Sequence, residues 1–293
     1  MGLRTTISER QRRLGFELKH LREKAGLTAG EAAERINMGR VQLSQIETAK
    51  TSILTGRLRE LCHLYGCTDT TYIEALVATS EATGRGWWSA YKKRRGLDAL
   101  NTAELEADCT TLRMHQSLFI PGLFQTADYA RAIFTSPGLG FERSAGALEF
   151  RMERQQVLTR ENPPSVHAVI HESALHMRFG GAKVVREQLL HLVELARLPN
   201  VTIQIYPFSA QAYAALSGNF VHVIPGHPEL GTVLLEQPVG LQYLGDRPSL
   251  DRYEDLFQHL AENALAPIDV SLAPDAHSVK DSLALIQHVL YTL

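Results

Sequence analysis

Apolar residues recur every three or four positions in the first third of the chain, and this spacing is typical of amphipathic helices. Thr28, with Glu31 three residues later, predicts a capping box, the usual start of a helix. The pattern as a whole predicts five helices, at 12–25, 28–36, 40–48, 53–65 and 71–83. Residues 1–84 are therefore predicted to form an all-α domain of five helices.

The second and third of these helices have the spacing of a helix-turn-helix. Each is about two turns long, whereas an ordinary helical bundle, the alternative interpretation, would use longer helices. Ala33 supplies the small side chain that two steeply crossing helices need, and Asn37 supplies a turn residue that tolerates positive φ. The inward-facing apolar positions of the pair are Ile36, Met38, Leu43 and Ile46. Since such a pair places its second helix in the major groove, the spacing predicts that this domain reads duplex DNA.

A change of pattern after residue 84 predicts a junction at 85–100. This segment contains Trp87 and Trp88, which are predicted to dock on a domain face rather than to stack on nucleic acid. It also contains a basic run at 92–95, which is interpreted as a solvated charge run. The junction separates the first domain from a second domain at 101–293.

The second domain begins with helical spacing and then alternates as strands do. Residues 101–163 are predicted to be helical. Short β-rich runs predict strands at 166–172, 201–208, 218–225 and 232–238. Longer apolar stripes predict further helices at 183–197, 249–264 and 276–290. The expected fold is α+β, with a small sheet and flanking helices.

Charge is divided unevenly along the chain, although the net charge of its 293 residues is only −2. Residues 1–66 hold 12 Lys or Arg against 7 Glu, so the basic end is suited to phosphate and the acidic remainder is not. No apolar run approaches the roughly 20 residues of a membrane span, and the first residues lack the apolar stretch of a signal peptide. We therefore expect a soluble, cytoplasmic protein with no membrane contact.

Several stretches resemble a known family across nearly the whole chain. They are RGWWSAY, LFIPGLFQTADYARAIF, RQQVLTRENPPSVHAVIHESAL, QLLHLVELARLPNVTIQIYPF, ALSGNFVHVIP and RYEDLFQHLAENAL. The first domain is similar to the Cro/repressor (xenobiotic-response-element, XRE) helix-turn-helix, and the remainder is similar to the uncharacterised domain that follows it in many actinobacterial regulators. The resemblance implies a transcriptional regulator that is frequently encoded beside a small partner protein.

The exposed edge of the third helix is predicted to read bases. Arg40 is suited to a bidentate contact with guanine, Gln45 to a bidentate contact with adenine, and Val41 to a thymine methyl group. Ser44 lies on the same edge. We expect phosphate contacts from Thr28, Gln42, Thr48 and Lys50.

Arg22 and Glu47 occupy positions that pair in similar repressors, so the resemblance implies a salt bridge that orients Arg22 toward the DNA backbone. The chain departs from the family pattern at three places near this pair. Asn37 replaces a turn glycine, Gly39 replaces the hydroxyl residue that caps the recognition helix, and Ala49 stands where glycine is usual. Because one such module offers a small footprint, we expect a homodimer on two half-sites.

Two interpretations of the second domain are carried forward. In the first it is a regulatory domain that binds a partner protein or a small-molecule effector. In the alternative it is a hydrolytic or metal-dependent enzyme, for which the best constellation is His167, His171 and Glu172 on one strand. Two histidines are few for a metal site, and Cys62, Cys67 and Cys109 have no metal-ligand spacing. We therefore predict no catalytic residue, no metal and no cofactor.

Aromatic side chains of the second domain are a further candidate site, because they could line an effector pocket. The interpretation as core is the more common one for such residues. They are Phe119, Phe124, Tyr206, Phe208, Tyr213, Phe220 and Tyr243.

Overall fold

A computed structural model describes residues 3–4, 6–136, 146–210, 218–237, 240–271 and 281–293. The chain divides into two compact units. The first consists of Met1–Lys92, Gly96–Asp108 and Ile224–Gly231, and the second of Lys93–Arg95, Cys109–Val223 and Thr232–Leu293. The first unit is therefore assembled from three separate pieces of the sequence.

Five helices open the first unit, as predicted. They are α1 (Glu9–Lys24), α2 (Ala29–Arg35), α3 (Arg40–Glu47), α4 (Thr55–Leu64) and α5 (Thr70–Glu81). Helix α1 begins three residues earlier than the apolar spacing predicts, because the Gln11 side chain accepts a 3.1 Å hydrogen bond from the Ser8 amide in front of it. The predicted capping box of α2 is confirmed, since the Thr28 hydroxyl accepts from the Glu31 amide and the Glu31 carboxylate accepts from the Thr28 amide.

The turn between α2 and α3 has the geometry that its sequence predicts. Asn37 adopts a φ of 51°, the left-handed conformation that asparagine tolerates better than most residues. The Met38 amide donates to the Ala33 carbonyl at 2.8 Å, which closes the end of α2. Ala33 is 1% exposed, so the small side chain lies at the packed contact as expected.

Helix α6 (Leu97–Asp108) and the preceding turn also belong to the first unit. The turn, Trp87–Tyr91, is a short 3₁₀ helix with Trp88 and Tyr91 buried, so the prediction that this aromatic segment docks on protein is confirmed for Trp88. The buried Arg10 of α1 pairs with Glu104 of α6 at 2.9 Å, and it donates to the Ala82 carbonyl at 2.8 Å. This arginine therefore joins α1 to α6 and to the end of α5.

The third piece of the first unit is Ile224–Gly231, called the tip segment below. Along the chain it connects β4 (Phe220–Ile224) to β5 (Thr232–Gln237), and it contains a short 3₁₀ helix at Pro228–Leu230. Leu230 is 4% exposed and belongs to the same apolar core as Leu18 and Leu58. The packing of the first unit is thus completed by residues that follow its helices by more than a hundred positions.

The second unit contains a six-stranded mixed sheet. Its strands lie in the order β3-β2-β1-β4-β5-β6, with β1, β2 and β3 parallel and β4, β5 and β6 antiparallel. The remaining strand bounds are β1 (Thr111–Gln116), β2 (Ser165–His171), β3 (Val201–Tyr206) and β6 (Gly240–Leu244). The predicted α+β class is confirmed.

Within the described ranges, the second unit also contains six α-helices. They are α7 (Ala127–Thr135), α8 (Ala147–Arg154), α9 (Ser173–His176), α10 (Ala182–Leu195), α11 (Arg247–Asn263) and α12 (Ser282–Thr292). Helix α11 packs against β1, β3 and β5, and its Phe257 and Leu260 join a core with Phe220 and Tyr206. The predicted helix at 276–290 matches α12 from Ser282 onward, and residues 276–280 lie outside the described ranges.

One predicted element is wrong, and a strand of the sheet was missed. Residues 111–116, assigned to a helical region, form β1, because pairing with β2 from Thr111↔Ser165 to Gln116↔Ile170 outweighs the helix propensity of Leu, Arg, Met and Gln. Strand β6 was missed because it is a mostly half-exposed edge strand that begins at a glycine and lacks a clear alternation. Among the described residues, no helix combines the length and apolar character needed to cross a bilayer.

Two buried histidines in the second unit have pKa values below the usual range of the imidazole group. Burial lowers the pKa of His115 to about 4 and that of His222 to about 4. For His222 the Arg113 charge acts in the same direction. The Glu254 carboxylate lies 3.7 Å from the His222 Nδ1 atom, but it is also paired with Arg113. Both rings are therefore neutral in the folded protein at neutral pH.

Acidification is expected to destabilise the folded protein through these two rings. Between pH 6.5 and pH 4 the unfolded chain binds protons that the folded chain does not, so the free energy of unfolding falls as pH falls. Each ring is expected to contribute about 1 kcal/mol of this loss between pH 7 and pH 5.5. Urea titrations at both pH values measure it. His222→Leu should remove one share of the loss; an equal loss in this variant and in the wild type would contradict the assignment.

Candidate nucleic-acid interface

Helix α3 presents one edge to solvent and buries the other. Leu43 and Ile46 are 0% and 4% exposed, and they fix the helix against the core of the first unit. On the opposite edge Val41 is 70% exposed, and Arg40 and Ser44 are also exposed. An exposed valine between two polar residues is unfavourable in water, but it suits contact with a thymine methyl group.

Gln45 lies at the margin of this edge and is half-buried. Its carbonyl accepts a 3.2 Å hydrogen bond from the Thr51 amide, which ties the chain after α3 back onto the helix. This hydrogen bond fixes the backbone position from which the Gln45 side chain extends. The four predicted base-reading positions are arranged as three exposed side chains and one half-buried side chain on a single short helix.

The residues predicted to bind phosphate are placed in two different ways. Gln42 and Lys50 are exposed. The Thr28 hydroxyl is exposed but donates to the Glu31 carboxylate at 2.7 Å, and the Thr48 hydroxyl donates to the Ser44 carbonyl at 2.8 Å. Hydrogen bonds from Thr28 also hold the pKa of Glu31 below its usual value, so a carboxylate stands at the start of α2 at neutral pH.

The predicted salt bridge between Arg22 and Glu47 is confirmed. Arg22 Nε lies 2.6 Å from Glu47 Oε1 and Nη2 lies 3.0 Å from Oε2, a bidentate pair. The third nitrogen, Nη1, donates to the Leu27 carbonyl at 2.8 Å, and Arg22 is 7% exposed. The hydrogen bonds to Glu47 raise the pKa of the guanidinium. The pair joins α1 to the end of α3, and its contact with a phosphate stays a prediction.

Two glycine-related departures from the family pattern have visible structural effects. Ala49 adopts a φ of 58°, a left-handed conformation that is strained for a residue with a Cβ atom. Gly39 caps α3 without any side-chain hydrogen bond. The first amides of α3 consequently receive no side-chain cap from Gly39, as expected from the missing hydroxyl.

Sequence reasoning missed two residues that hold α3 in place. Arg4 donates to the Ala49 carbonyl at 2.8 Å and to the Thr51 carbonyl at 3.0 Å, and so fixes the segment that carries Lys50. Gly15 in the middle of α1 lies so close to α3 that a Cβ atom there would come within 2.5 Å of the Glu47 carbonyl oxygen. A glycine inside an amphipathic helix was the available signal for this close approach.

The histidines of the enzymatic alternative have separate partners in the second unit. His167 Nε2 lies 2.6 Å from Gln204 Oε1, and His171 Nδ1 lies 2.6 Å from Ser173 Oγ. Four residues apart on β2, the two histidines are separated by about 13 Å. Within the described ranges, no three His, Cys, Asp or Glu side chains come together as a metal site would need.

The aromatic residues considered as pocket-lining mostly belong to the core. Phe124, Tyr206 and Phe220 are at most 1% exposed. Phe208 is 61% exposed and stands beside His171 and His176, with ring centroids 5.3 and 5.9 Å away. Phe119 and Tyr243 are half-buried, and Tyr213 lies outside the described residues.

Comparison with known families finds two matches along the chain. Residues 13–72 match a family model described as a helix-turn-helix domain, and residues 100–271 match a model described as a domain of unknown function, DUF5753. No curated protein and no solved structure matches the chain. Because the second match spans more than half of the 293 residues, the chain belongs to the DUF5753 family, and it carries a helix-turn-helix domain, a DNA-binding fold, in front of that domain.

Proposed function

We propose that this protein is a sequence-specific transcriptional regulator of the Cro/repressor type, in which α3 lies in the major groove of duplex DNA. The observation that supports this most is the exposed edge of α3, with Arg40, Val41 and Ser44 outward and the buried Leu43 behind them. Arg40 and Gln45 form bidentate contacts with base edges, each worth about 1 to 3 kcal/mol of discrimination.

Phosphate contacts in this proposal come first from Lys50 and Gln42, which flank the exposed edge of α3. The Thr28 hydroxyl can donate to a phosphate only if its hydrogen bond to the Glu31 carboxylate breaks. Arg22 acts mainly by holding Glu47 and thereby the end of α3, since all of its guanidinium nitrogens already donate within the protein. In this proposal the phosphate contacts therefore depend more on Lys50 and Gln42 than on Thr28 and Arg22.

The regulator is further proposed to bind as a two-fold dimer, because one module of this size has a small footprint. The DUF5753 region is proposed to bind a partner protein, with a small-molecule effector as the other candidate, and to have no enzymatic activity. Support for the partner comes from the family resemblance alone. An effector or partner changes DNA affinity only if it binds one conformation of the regulator better than another.

Selection of binding sites from random duplex DNA with the full-length protein tests this function. We expect an enriched motif made of two inverted half-sites whose centres are about 10 base pairs, one helical turn, apart. The affinity for the selected duplex should fall steeply with salt, with a slope set by the number of phosphate contacts. If no sequence is enriched and binding remains the same on every duplex, the proposal of a sequence-specific regulator is wrong.

A further inference from the structure

The tip segment contributes an aromatic contact and a core side chain to the first unit. The His227 ring lies 5.0 Å from the Tyr72 ring of α5, and its Nε2 atom lies 3.5 Å from the Asp69 carboxylate. Its Nδ1 atom accepts from the Glu229 amide at 3.3 Å, which leaves Nε2 as the protonated nitrogen facing Asp69. Leu230 fills a place in the apolar core.

A buried arginine of α1 binds the backbone of the same segment. Arg13 is 6% exposed, and its Nε donates to the Gly231 carbonyl at 3.0 Å while Nη2 donates to the Glu229 carbonyl. Its remaining nitrogen pairs with the buried Glu17, which also accepts from the Tyr72 hydroxyl. If the tip segment moved away from α1, the Nε and Nη2 groups of the buried Arg13 would lose their acceptors, which is strongly unfavourable.

The helical turn that holds the tip segment also holds the recognition helix. Gly15 lies midway between Arg13 and Glu17 in α1, and its backbone contacts the carbonyl groups of Ile46 and Glu47 at the end of α3. No side chain is present at Gly15 to absorb a displacement by changing rotamer. A movement of this turn of α1 therefore passes directly to α3.

The tip segment is short and stiff. Val223 and Thr232, the residues that flank its ends, are paired opposite each other on β4 and β5. Inside it, the Leu230 amide donates to the His227 carbonyl at 3.0 Å, and the Gly231 amide donates to the Pro228 carbonyl at 2.9 Å. These hydrogen bonds leave the tip segment little internal conformational freedom.

We infer that the tip segment positions the helix-turn-helix, so that loss of its contacts with α1 and α5 changes the placement of α3 and with it the affinity for DNA. The inference involves two conformations of the protein. In one the tip segment is held by Arg13, Tyr72 and the apolar core, and in the other it is released. The effect on DNA affinity rests on the proposed function. The effect on the packing of α1 and α3 does not depend on the proposed function.

Hydrogen exchange of the full-length protein, compared with its affinity for duplex DNA, tests this inference. His227→Ala removes the contacts with Tyr72 and Asp69 without removing a core residue, and Leu230→Ala removes a core contact. We expect either change to speed exchange about tenfold in α1 and α3 and to weaken binding of the selected duplex about tenfold. Gly226→Ala is the matched control, because a Cβ atom at this tip position meets nothing within 4 Å.

The inference is overturned if exchange in both variants accelerates only in the tip segment and α5, while α3 and DNA affinity match the wild type. Equal acceleration in Gly226→Ala would also overturn it, since the effect would then not depend on the docking contacts. Should Leu230→Ala fail to fold, His227→Ala alone decides. If the wild type binds no duplex DNA, the proposed function fails, whereas the exchange rates of α1 and α3 still test the coupling.

Discussion

Arg40→Ala and Gln45→Ala are each expected to abolish most sequence preference while leaving the midpoint of thermal unfolding near that of the wild type. Each substitution removes one base contact from every half-site, at about 1 to 3 kcal/mol per contact. Neither substitution creates a cavity, because Arg40 is exposed and Gln45 is half-buried. Competition between the selected duplex and an unrelated duplex measures the preference.

A charge-matched variant separates base reading from simple attraction. Arg40→Lys keeps the positive charge but cannot make the bidentate contact with guanine, so we expect lost preference with an unchanged salt dependence. Arg12→Ala is the control for charge, since it removes an exposed arginine from α1. If Arg40→Ala and Gln45→Ala discriminate between duplexes as well as the wild type does, the assigned edge of α3 does not read DNA.

Gly15→Ala is expected to destabilise the first unit by about 2 kcal/mol and to weaken DNA binding together with it. A Cβ atom at this position would lie 2.5 Å from the Glu47 carbonyl oxygen and 3.0 Å from that of Ile46, so α1 and α3 must separate. The separation would also stretch the bidentate pair between Arg22 and Glu47. The gain in helix propensity, about 1 kcal/mol, offsets only part of this cost.

Gly56→Ala provides the matched comparison, because its new Cβ atom in α4 meets nothing within 4 Å. We expect that variant to be as stable as the wild type or slightly more stable. Denaturant titrations and DNA titrations of both variants measure the two effects. A Gly15→Ala protein as stable as Gly56→Ala would show that the contact between α1 and α3 accommodates a methyl group.

Local signals predicted the helix-turn-helix well. The Thr28 capping box, the left-handed Asn37 and the buried Ala33 all depend on residues within a few positions of one another, and all three are present in the structure. The pair of Arg22 and Glu47 was also predicted, although only through resemblance to other repressors. The exposed edge of α3 follows from the same local periodicity, since burying Leu43 and Ile46 turns Arg40 outward.

Features that depend on distant pairing were not predictable. Strand β1 contains residues that favour helices, and only its register with β2, more than 50 positions away, makes it extended. The contacts of Arg13 with the tip segment join residues 216 and 218 positions apart, and neither end carries a local signal of the other. Sequence patterns predict which residues are buried, but not which distant segment buries them.

The division of the first unit into three pieces has a consequence for protein synthesis. The segments that form α1 to α6 leave the ribosome exit tunnel long before Leu230 has been added to the chain. The apolar core of the first unit therefore stays incomplete until more than three quarters of the chain has been synthesised. A nascent chain cannot assemble this unit in full before the β4–β5 hairpin emerges. Chimeras that join the first 84 residues to another protein would inherit Arg13 without the Glu229 and Gly231 carbonyl groups that accept its hydrogen bonds.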